Sequence, residues 1–432
     1  MKNNFFLFFL FFLTFCSPGP DLNIKIEDLK KEGKLLLSSK SEILNEDEIL
    51  NLSKVSTNTP QEIEDWKYPN YNSNNLIPHI KLKKINFSNY KKTNYQFKLN
   101  ENNEIISVNK KIFLLDDESN LIILDDKFKI LKKIKLYKKK QLPKSYSLKF
   151  SLIADNNKIY ISDNLGNLMA LDIISYKVLW KKELEVPFLS NLSIFNTSIF
   201  GINSNGKIFS FNLNNGEQNW SLETGTQFAK SAHAFKLATS NNKLIYTNDF
   251  GIITCIDLLK KSILWQIELE KRNTNSYVFV PSNLIIENNF LYSSSNYGEL
   301  IKINLTNGTI LWKKDVHSLK NFYLNKDTII GVDETYFKIF DKLTGKLIYN
   351  KNLLLTSSTI KSKSNDFIVN NIILINDHFY ITTKRGDTFI IQTYDLNNII
   401  YLKKYNFINS NLIIYDDKLI FFADNKKLIE IQ

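Results

Sequence analysis

Cysteine, arginine and histidine are scarce in this 432-residue sequence, and each shortage argues against one class of structure or function. The two cysteines, Cys16 and Cys255, do not provide a disulfide framework, and Cys255 lies in an apolar stretch that predicts a small buried side chain. Only Arg272 and Arg385 contribute arginine to the 56 basic residues. Because arginine is the preferred side chain for phosphate and base recognition, the net charge of +12 indicates a lysine-rich solvated surface and no nucleic-acid partner.

Catalytic and metal-binding patterns are missing as well. The sequence contains no HExxH motif, no GxSxG nucleophile turn and no glycine-rich phosphate loop. Its four histidines, which show no metal-ligand spacing, are His79, His233, His317 and His378. Four aspartates recur at one point of a repeat, just before a turn, and are predicted to cap that turn: Asp172, Asp257, Asp341 and Asp395. We therefore predict neither an enzyme nor a metal or cofactor site.

What the sequence does contain is a repeat of short strands. Its clearest copy begins with the strand Lys243–Thr247, turns at Gly251, continues through Ile252–Asp257 and closes with a strand that ends at Trp265. Four of the five tryptophans share this position, at intervals of 40, 45 and 47 residues, and a glycine holds the turn of each copy. The glycine and tryptophan pairs, taken as structural residues, are Gly166 and Trp180, Gly206 and Trp220, Gly251 and Trp265, and Gly298 and Trp312. Such a period indicates the blades of an all-β propeller.

Weaker copies set the number of blades. They cover residues 109–133, 327–349 and 377–401, and an incomplete unit ends the chain. We predict an eight-bladed β-propeller, with seven blades as the alternative, built from four-stranded antiparallel blades. Pairing of N-terminal strands with the C-terminal ones would close the ring, and Ile80–Phe87 and Asn94–Leu99 are the candidates for the N-terminal strands.

The N-terminal region has a different composition. Residues 1–16 contain one apolar run, Phe5–Phe15, which is too short to span a bilayer stably, and they resemble a bacterial lipoprotein signal in which Cys16 is lipidated. Phe15 departs from the small residue usual before that cysteine, so a secretory signal cut later, or an uncleaved anchor, stays an alternative. Residues 17–65 are predicted to form a flexible tether, with one short helix at 41–52 as the other possibility.

Residues 66–432 are assigned to the propeller. Trp66 opens an aromatic and asparagine-rich stretch that is predicted to dock on the ring before the first strand, with Trp66 as an aromatic plug and His79 as a turn residue. Leaving out Lys2 and the acidic linker, whose net charge is −5, gives this region a charge of +16. A preference for acidic partners or for lipid headgroups stays open.

The repeat resembles that of the pyrroloquinoline-quinone (PQQ) propeller family. The segments that carry the resemblance are GNLMALDIISYKVLW, GIITCIDLLKKSILW and GELIKINLTNGTILW. One branch of this family consists of quinone-dependent dehydrogenases, for which the resemblance implies a larger chain, an adjacent cysteine pair and a calcium site. The other branch is the BamB family of outer-membrane assembly lipoproteins, for which it implies a lipidated N-terminus, a tether, eight blades and no cofactor. The sequence agrees better with the second branch.

The resemblance also implies partners and a location. A BamB-like protein would sit on the periplasmic face of the outer membrane, bind the barrel-assembly protein (BamA-like) and assist unfolded outer-membrane proteins. The residues nearest to the family's docking surface, on loops between middle blades, are Phe228, Lys230 and His233, with Arg272 as an addition. Two rival hypotheses are a quinone-dependent dehydrogenase and a propeller that binds another envelope protein, cell-wall material or a ligand.

Overall fold

The fold was taken from a computed structural model. It describes residues 52–83, 85, 90–98, 104–138, 148–184, 186–224, 235–248, 250–269, 279–280, 282–317, 319–356, 360, 367–403, 405, 410–423 and 426–431. Residues Leu50–Gln432 belong to one compact unit. The predicted signal sequence with Cys16, and most of the predicted tether, lie outside the described residues.

In the described part of the chain, thirty-two strands form eight separate four-stranded antiparallel sheets, which confirms the all-β, eight-bladed prediction over the seven-bladed one. Strand β1 (Tyr90–Lys92) is followed by blade 1, which holds β2 (Ile105–Val108), β3 (Lys111–Leu115), β4 (Asn120–Leu124) and β5 (Ile130–Lys135). Blade 2 holds β6 (Phe150–Asp155), β7 (Lys158–Asp163), β8 (Asn167–Asp172) and β9 (Val178–Glu183). Blade 3 holds β10 (Ser193–Phe195), β11 (Ser198–Ile202), β12 (Lys207–Asn212) and β13 (Gln218–Glu223). Blade 4 holds β14 (Lys236–Ser240), β15 (Lys243–Thr247), β16 (Ile252–Asp257) and β17 (Ser262–Glu268).

The second half of the ring repeats this order. Blade 5 holds β18 (Ile285–Glu287), β19 (Phe290–Ser294), β20 (Glu299–Asn304) and β21 (Ile310–Asp315). Blade 6 holds β22 (Phe322–Leu324), β23 (Thr328–Asp333), β24 (Tyr336–Asp341) and β25 (Leu347–Asn352), and the 3₁₀ turn Leu353–Leu355 follows it. Blade 7 holds β26 (Val369–Ile375), β27 (His378–Thr383), β28 (Asp387–Gln392) and β29 (Ile399–Lys403). Blade 8 holds β30 (Ile413–Tyr415), β31 (Lys418–Ala423) and β32 (Lys427–Ile431), and β1 completes it.

Burial orders the strands from the ring axis outward. The first strands of neighbouring blades contact one another, as β2 does with β6 and β14 with β18, so they line the axis. The second and third strands are rich in β-branched and aromatic residues and are buried between blades, whereas the fourth strand is largely exposed. The apolar core is therefore divided among the spaces between successive blades.

The alternating strand directions give the ring two ends. One end, called the turn end, carries the turns that join first to second and third to fourth strands. The other, called the connection end, carries the turns between second and third strands together with the connections from blade to blade. Any residue can be assigned to an end from its position in its strand.

The two chain ends pair in blade 8, as predicted. Strand β1 pairs with β32 in antiparallel register, Tyr90 opposite Ile431 and Lys92 opposite Ile429. The pairing strand, however, lies between the stretches proposed from sequence, Ile80–Phe87 and Asn94–Leu99, and in the described parts of those stretches no strand is present. The three residues of β1 are all exposed, so no alternation of apolar side chains marked them as a strand.

The turn between second and third strands requires a left-handed backbone. Gly251 adopts it in blade 4 with φ of 83°. In blades 1 and 6, where the repeat lacks this glycine, Ser119 and Glu334 take up φ of 63° and 54°. The weaker copies thus keep the turn, although a left-handed backbone is slightly unfavourable for residues other than glycine. In the part of the chain that the structure describes, no helix has the length and apolar character needed to cross a membrane.

Candidate functional site

Residues 66–80, here called the axial segment, cross the ring axis at the turn end. Trp66 exchanges two backbone hydrogen bonds with Ser107 of blade 1, at 2.8 and 2.9 Å. The carbonyl of Lys67 accepts from the amide of Ala154 in blade 2 at 2.9 Å. These contacts attach the segment to the last residues of the first strands, at the mouth of the channel.

The same segment continues to the opposite side of the ring. Asn74 accepts a hydrogen bond from the amide of Ile286 in blade 5 at 3.0 Å, and the Asn75 side chain donates to the carbonyls of Leu237 and Leu284 at 3.2 and 2.9 Å. Ile80 donates to Leu374 of blade 7 at 3.0 Å. Since these partners belong to first strands of distant blades or lie beside them, the segment spans the channel.

Side chains of the axial segment fill the space that its backbone crosses. Trp66 is fully buried and meets Tyr71 edge to face at 5.2 Å between ring centroids. Tyr68 packs against the core of blades 2 and 3, and burial raises its pKa. His79 is buried, and its ring nitrogens face the carbonyls of Asn58, at 2.5 Å, and Asn376. The predicted docking of this stretch is confirmed, and Trp66 and His79 serve packing and hydrogen bonding there.

The chain reaches the axis along the turn end of blades 6 and 7. Ser53 accepts from the amide of Leu396 at 2.9 Å, and the Val55 amide donates to the carbonyl of Thr393 at 2.8 Å. Ser56 Oγ donates to the Asp327 carboxylate at 2.8 Å. The described residues from Leu52 onward therefore already contact the ring, within the stretch predicted as a tether.

A small cavity of about 130 Å³ lies at the connection end of the channel. Glu104 lines it and accepts a hydrogen bond from the amide of Leu152 at 2.7 Å, and burial raises the pKa of Glu104 to about 7. Lys236 lines the same cavity, and burial lowers its pKa. The site combines one carboxylate and one ammonium group that are both partly buried.

This cavity does not suit the quinone cofactor that the fold family implies. Its volume of about 130 Å³ is below the roughly 300–1,000 Å³ of ordinary ligand pockets, and Glu104 and Asp163 balance Lys149 and Lys236, so the lining has no excess of positive charge for a cofactor with several carboxylates. At the other end of the channel, the axial segment fills the space around Trp66. The residues present do not fit this group. Among the described residues, no cluster of three or more His, Cys, Asp or Glu side chains is arranged to hold a metal ion.

The repeated tryptophans join neighbouring blades. The Trp180 indole N–H donates to the carbonyl of Leu213 in the next blade at 3.1 Å, and Trp265 does the same to Leu305. In the weaker sixth blade, the hydroxyl of Tyr349 reaches the equivalent carbonyl, that of Leu396, at 3.1 Å. At these positions the side chain is apolar and also donates a hydrogen bond, and tyrosine can supply both properties in place of tryptophan.

A glycine of the next blade lies under three of the four repeated indoles. A Cβ atom at Gly216 would stand 2.5 Å from Trp180, and one at Gly308 would stand 2.7 Å from Trp265. Gly345 lies in the same way beneath Trp312. This close approach of backbone to indole, here called the blade joint, leaves no room for a larger residue. The repeat pattern included glycines such as Gly345 in the turn of the following copy, but it did not predict that they pack beneath the tryptophans.

The recurrent aspartates cap turns, as predicted. Asp172 accepts from the amides of Ile174 and Ser175 at 3.1 and 2.6 Å, and these hydrogen bonds lower its pKa. Asp257 accepts in the same way from Leu259 and Lys260, both at 2.9 Å. Repetition of one geometry at successive blades supports a structural role. The predicted burial of Cys255 is also confirmed, and burial raises the pKa of its thiol to about 12.

The proposed docking residues are not placed by the structure. Phe228, Lys230, His233 and Arg272 all lie outside the described residues. The flanking residues Thr224 and Phe235 lie at the connection end, between blades 3 and 4. At the same end, between blades 5 and 6, a cavity of about 310 Å³ is lined by His317 and by several acidic side chains.

Comparisons with known proteins agree with this fold. The family model described as outer membrane protein assembly factor BamB matches residues 143–351. The outer membrane protein assembly factor BamB of Moranella endobia (strain PCIT) is 20% identical over 185 residues, which is 42% of this chain and 48% of that protein, so the chain spans about half the length of this relative. The crystal structure of BamB from Moraxella catarrhalis superimposes with a TM-score of 0.62 at 14% identity, covering 81% of this chain and 100% of that one. A europium-containing methanol dehydrogenase also superimposes, with a TM-score of 0.58 at 10% identity, over 84% of this chain and 88% of its own. At such identities the superpositions show the fold alone.

Proposed function

We propose, from the premise that this chain is a BamB-like PQQ-repeat protein, that it is a non-catalytic scaffold for the assembly of outer-membrane β-barrel proteins. In this proposal the chain is lipidated at Cys16 and tethered to the periplasmic face of the outer membrane. Its partners are a barrel-assembly protein of the BamA type and unfolded barrel proteins. Neither cofactor nor metal takes part.

The observation that carries the proposal is the axial segment. In enzymes built on a ring, a ligand at the axis needs a channel that is open to it. Here the protein's own residues 66–80 cross the turn end of that channel and bond to first strands around it. The surfaces that remain for binding are the loops at the two ends and the outer edges of the blades.

The outer edges suit the capture of unfolded barrel strands. Every fourth strand, such as β9 or β17, pairs on one side only within its sheet. An incoming extended segment can add to such an edge by backbone hydrogen bonds, with little demand on its sequence. We assign this role to the outer strands and the docking of the assembly protein to the loops of the connection end.

Charge reversal tests the docking assignment. Lys230→Glu combined with Arg272→Glu is expected to weaken binding to the purified periplasmic part of a barrel-assembly protein about tenfold or more, as measured by titration calorimetry. Lys127→Glu combined with Lys261→Glu changes the same charge at the turn end and should leave the affinity unchanged. Equal affinities for all three proteins would overturn the docking assignment.

Co-purification tests the function as a whole. The full-length protein, expressed in a Gram-negative host and recovered from detergent-solubilised envelopes, is expected to carry a diacylglyceryl group on Cys16 and to bring a barrel-assembly protein with it. Mass spectrometry identifies both. Absence of a barrel-assembly protein from the purified sample would refute the scaffold role. The rival enzyme hypothesis would be supported if the protein took up stoichiometric quinone with calcium, as seen by absorbance, and showed dye-linked dehydrogenase activity.

A further inference from the structure

Exposed apolar side chains concentrate at one end of the ring. Among the described residues, 18 large apolar side chains are more than a third exposed, and fourteen of them lie in a turn between third and fourth strands or in the first three residues of a fourth strand. All of these positions belong to the turn end. The four exceptions, at the connection end, are Phe250, Tyr336, Leu355 and Ile368.

Three of these side chains stand at the tips of equivalent turns. Ile174, Leu259 and Leu343 are 67, 68 and 78% exposed, and each follows a capping aspartate by two residues. They belong to blades 2, 4 and 6, so they are spread around the ring at one axial level. The same turn position holds Asn214 in blade 3 and Thr306 in blade 5, which shows that the turn itself does not require an apolar residue.

Two of the fourth strands show the same gradient of polarity along the ring axis. Strand β9 begins with Val178 and Leu179, continues with two lysines and ends at Glu183. Strand β21 has the same order, apolar at the turn end, lysine next and Asp315 at the connection end. Apolar side chains with lysines one level above them match the boundary between acyl chains and phosphate groups of a bilayer.

The N-terminal part of the chain leads to the same end. The described residues begin at Leu52, and the hydrogen bonds of Ser53 and Val55 place this stretch on the turns of blade 7. Fifty-one residues precede Leu52. The described chain therefore enters the ring at its turn end.

We propose that the turn end of the ring rests flat on a phospholipid bilayer. Ile174, Leu259 and Leu343 enter the interface, and lysines of the fourth strands lie at the phosphate level. A bilayer is favoured over a protein as the binding partner because the apolar residues occur at equivalent positions around the ring. A protein partner would be expected to bind one contiguous cluster of apolar residues. The inference requires neither the assembly role nor lipidation of Cys16.

A fluorescent label at either end of the ring tests the orientation. The full-length protein, with Cys16→Ser, is labelled with a polarity-sensitive dye at Leu259→Cys or, as the matched control, at Leu355→Cys, and is reconstituted with vesicles of phosphatidylethanolamine and phosphatidylglycerol. Cys255 is fully buried, which limits background labelling. Nitroxide-bearing lipids should quench the label at position 259 at least about twofold more than the label at 355. Equal quenching at both positions would overturn the proposal.

A second set of variants separates insertion from mere proximity. Ile174→Asn, Leu259→Thr and Leu343→Asn together introduce the residue types that blades 3 and 5 already carry at this position. With a label at Leu311→Cys on the rim, lipid quenching should fall at least about twofold in this variant. The control triple Phe250→Asn, Leu355→Thr and Ile368→Thr should leave it unchanged. A loss of equal size in both triples, or quenching that requires an added protein partner, would refute bilayer contact, and far-ultraviolet circular dichroism checks that each variant is folded.

Discussion

The axis of the ring and its blade joints are held together in different ways. At the joints the same contact recurs. An indole or phenol side chain of one blade donates a hydrogen bond to a backbone carbonyl of the next blade, and the indoles lie above a glycine of that blade. On the axis each contact occurs once, because the axial segment meets a different residue at every blade it touches. A repeated contact leaves a period in the sequence, and a unique one leaves none. The joints are therefore visible from sequence, whereas the contacts of the axis are not.

The largest expected effect comes from emptying the axis. Trp66→Ala removes a fully buried indole that packs where several blades converge, and it should lower the free energy of unfolding by about 3–5 kcal/mol, measured by denaturant titration. Trp220→Ala is the matched control, since Trp220 is only half-buried and belongs to the periphery. A loss from Trp220→Ala as large as that from Trp66→Ala would contradict the distinction between axis and joints.

A smaller effect is expected at a single joint. Gly308→Ala forces a left-handed residue, φ of 77°, to carry a Cβ 2.7 Å from Trp265, and about 2–3 kcal/mol of stability should be lost. In a Trp265→Ala background the steric part disappears and only the backbone strain stays. A double-mutant cycle should therefore show coupling of about 1 kcal/mol or more, and strict additivity would refute the packing explanation.

The smallest effect concerns pH and the cavity at the connection end of the axis. Burial raises the pKa of Glu104 from 4.5 to about 7, so the folded state binds a proton more tightly than the unfolded state. The contribution of Glu104 to the free energy of unfolding is fully present below pH 4.5. It declines as the pH rises to 7, by about 1–2 kcal/mol for a partly exposed side chain. Glu104→Gln should flatten that slope in denaturant titrations at a series of pH values. An unchanged slope would show that Glu104 is not the titrating group.

The fold was largely predictable because the repeat encodes it locally. Gly251 and Trp265 fix a turn and a joint, and their recurrence gave the number and kind of blades. The closing strand β1 escaped prediction, since its residues Tyr90–Lys92 are all exposed and show no alternation.

The surfaces of the ring were harder to predict. Where β9 pairs with β8, Trp180 lies opposite Ala170 and Val178 opposite Leu171, so Leu179 is an extra residue and the consecutive residues Val178 and Leu179 are both exposed. Read from sequence, the segment VLW looks like one continuous buried strand. The exposed apolar residues of the turn end depend on this bulge and on its equivalents in other blades, and the sequence pattern does not reveal these bulges.

The axial segment also constrains the order in which this molecule can be completed. Residues 66–80 are made first, yet their partners include Ile286 and Leu374, which are separated from them by more than 200 residues of chain. The ring itself closes only when β32, at the other terminus, pairs with β1. Contacts between residues so distant in sequence make folding slow, because long loops must close before the contacts contribute. Residues 66–80 leave the ribosome long before their partners and are thus among the last to reach their native positions, and the unfinished chain exposes its blade edges in the meantime.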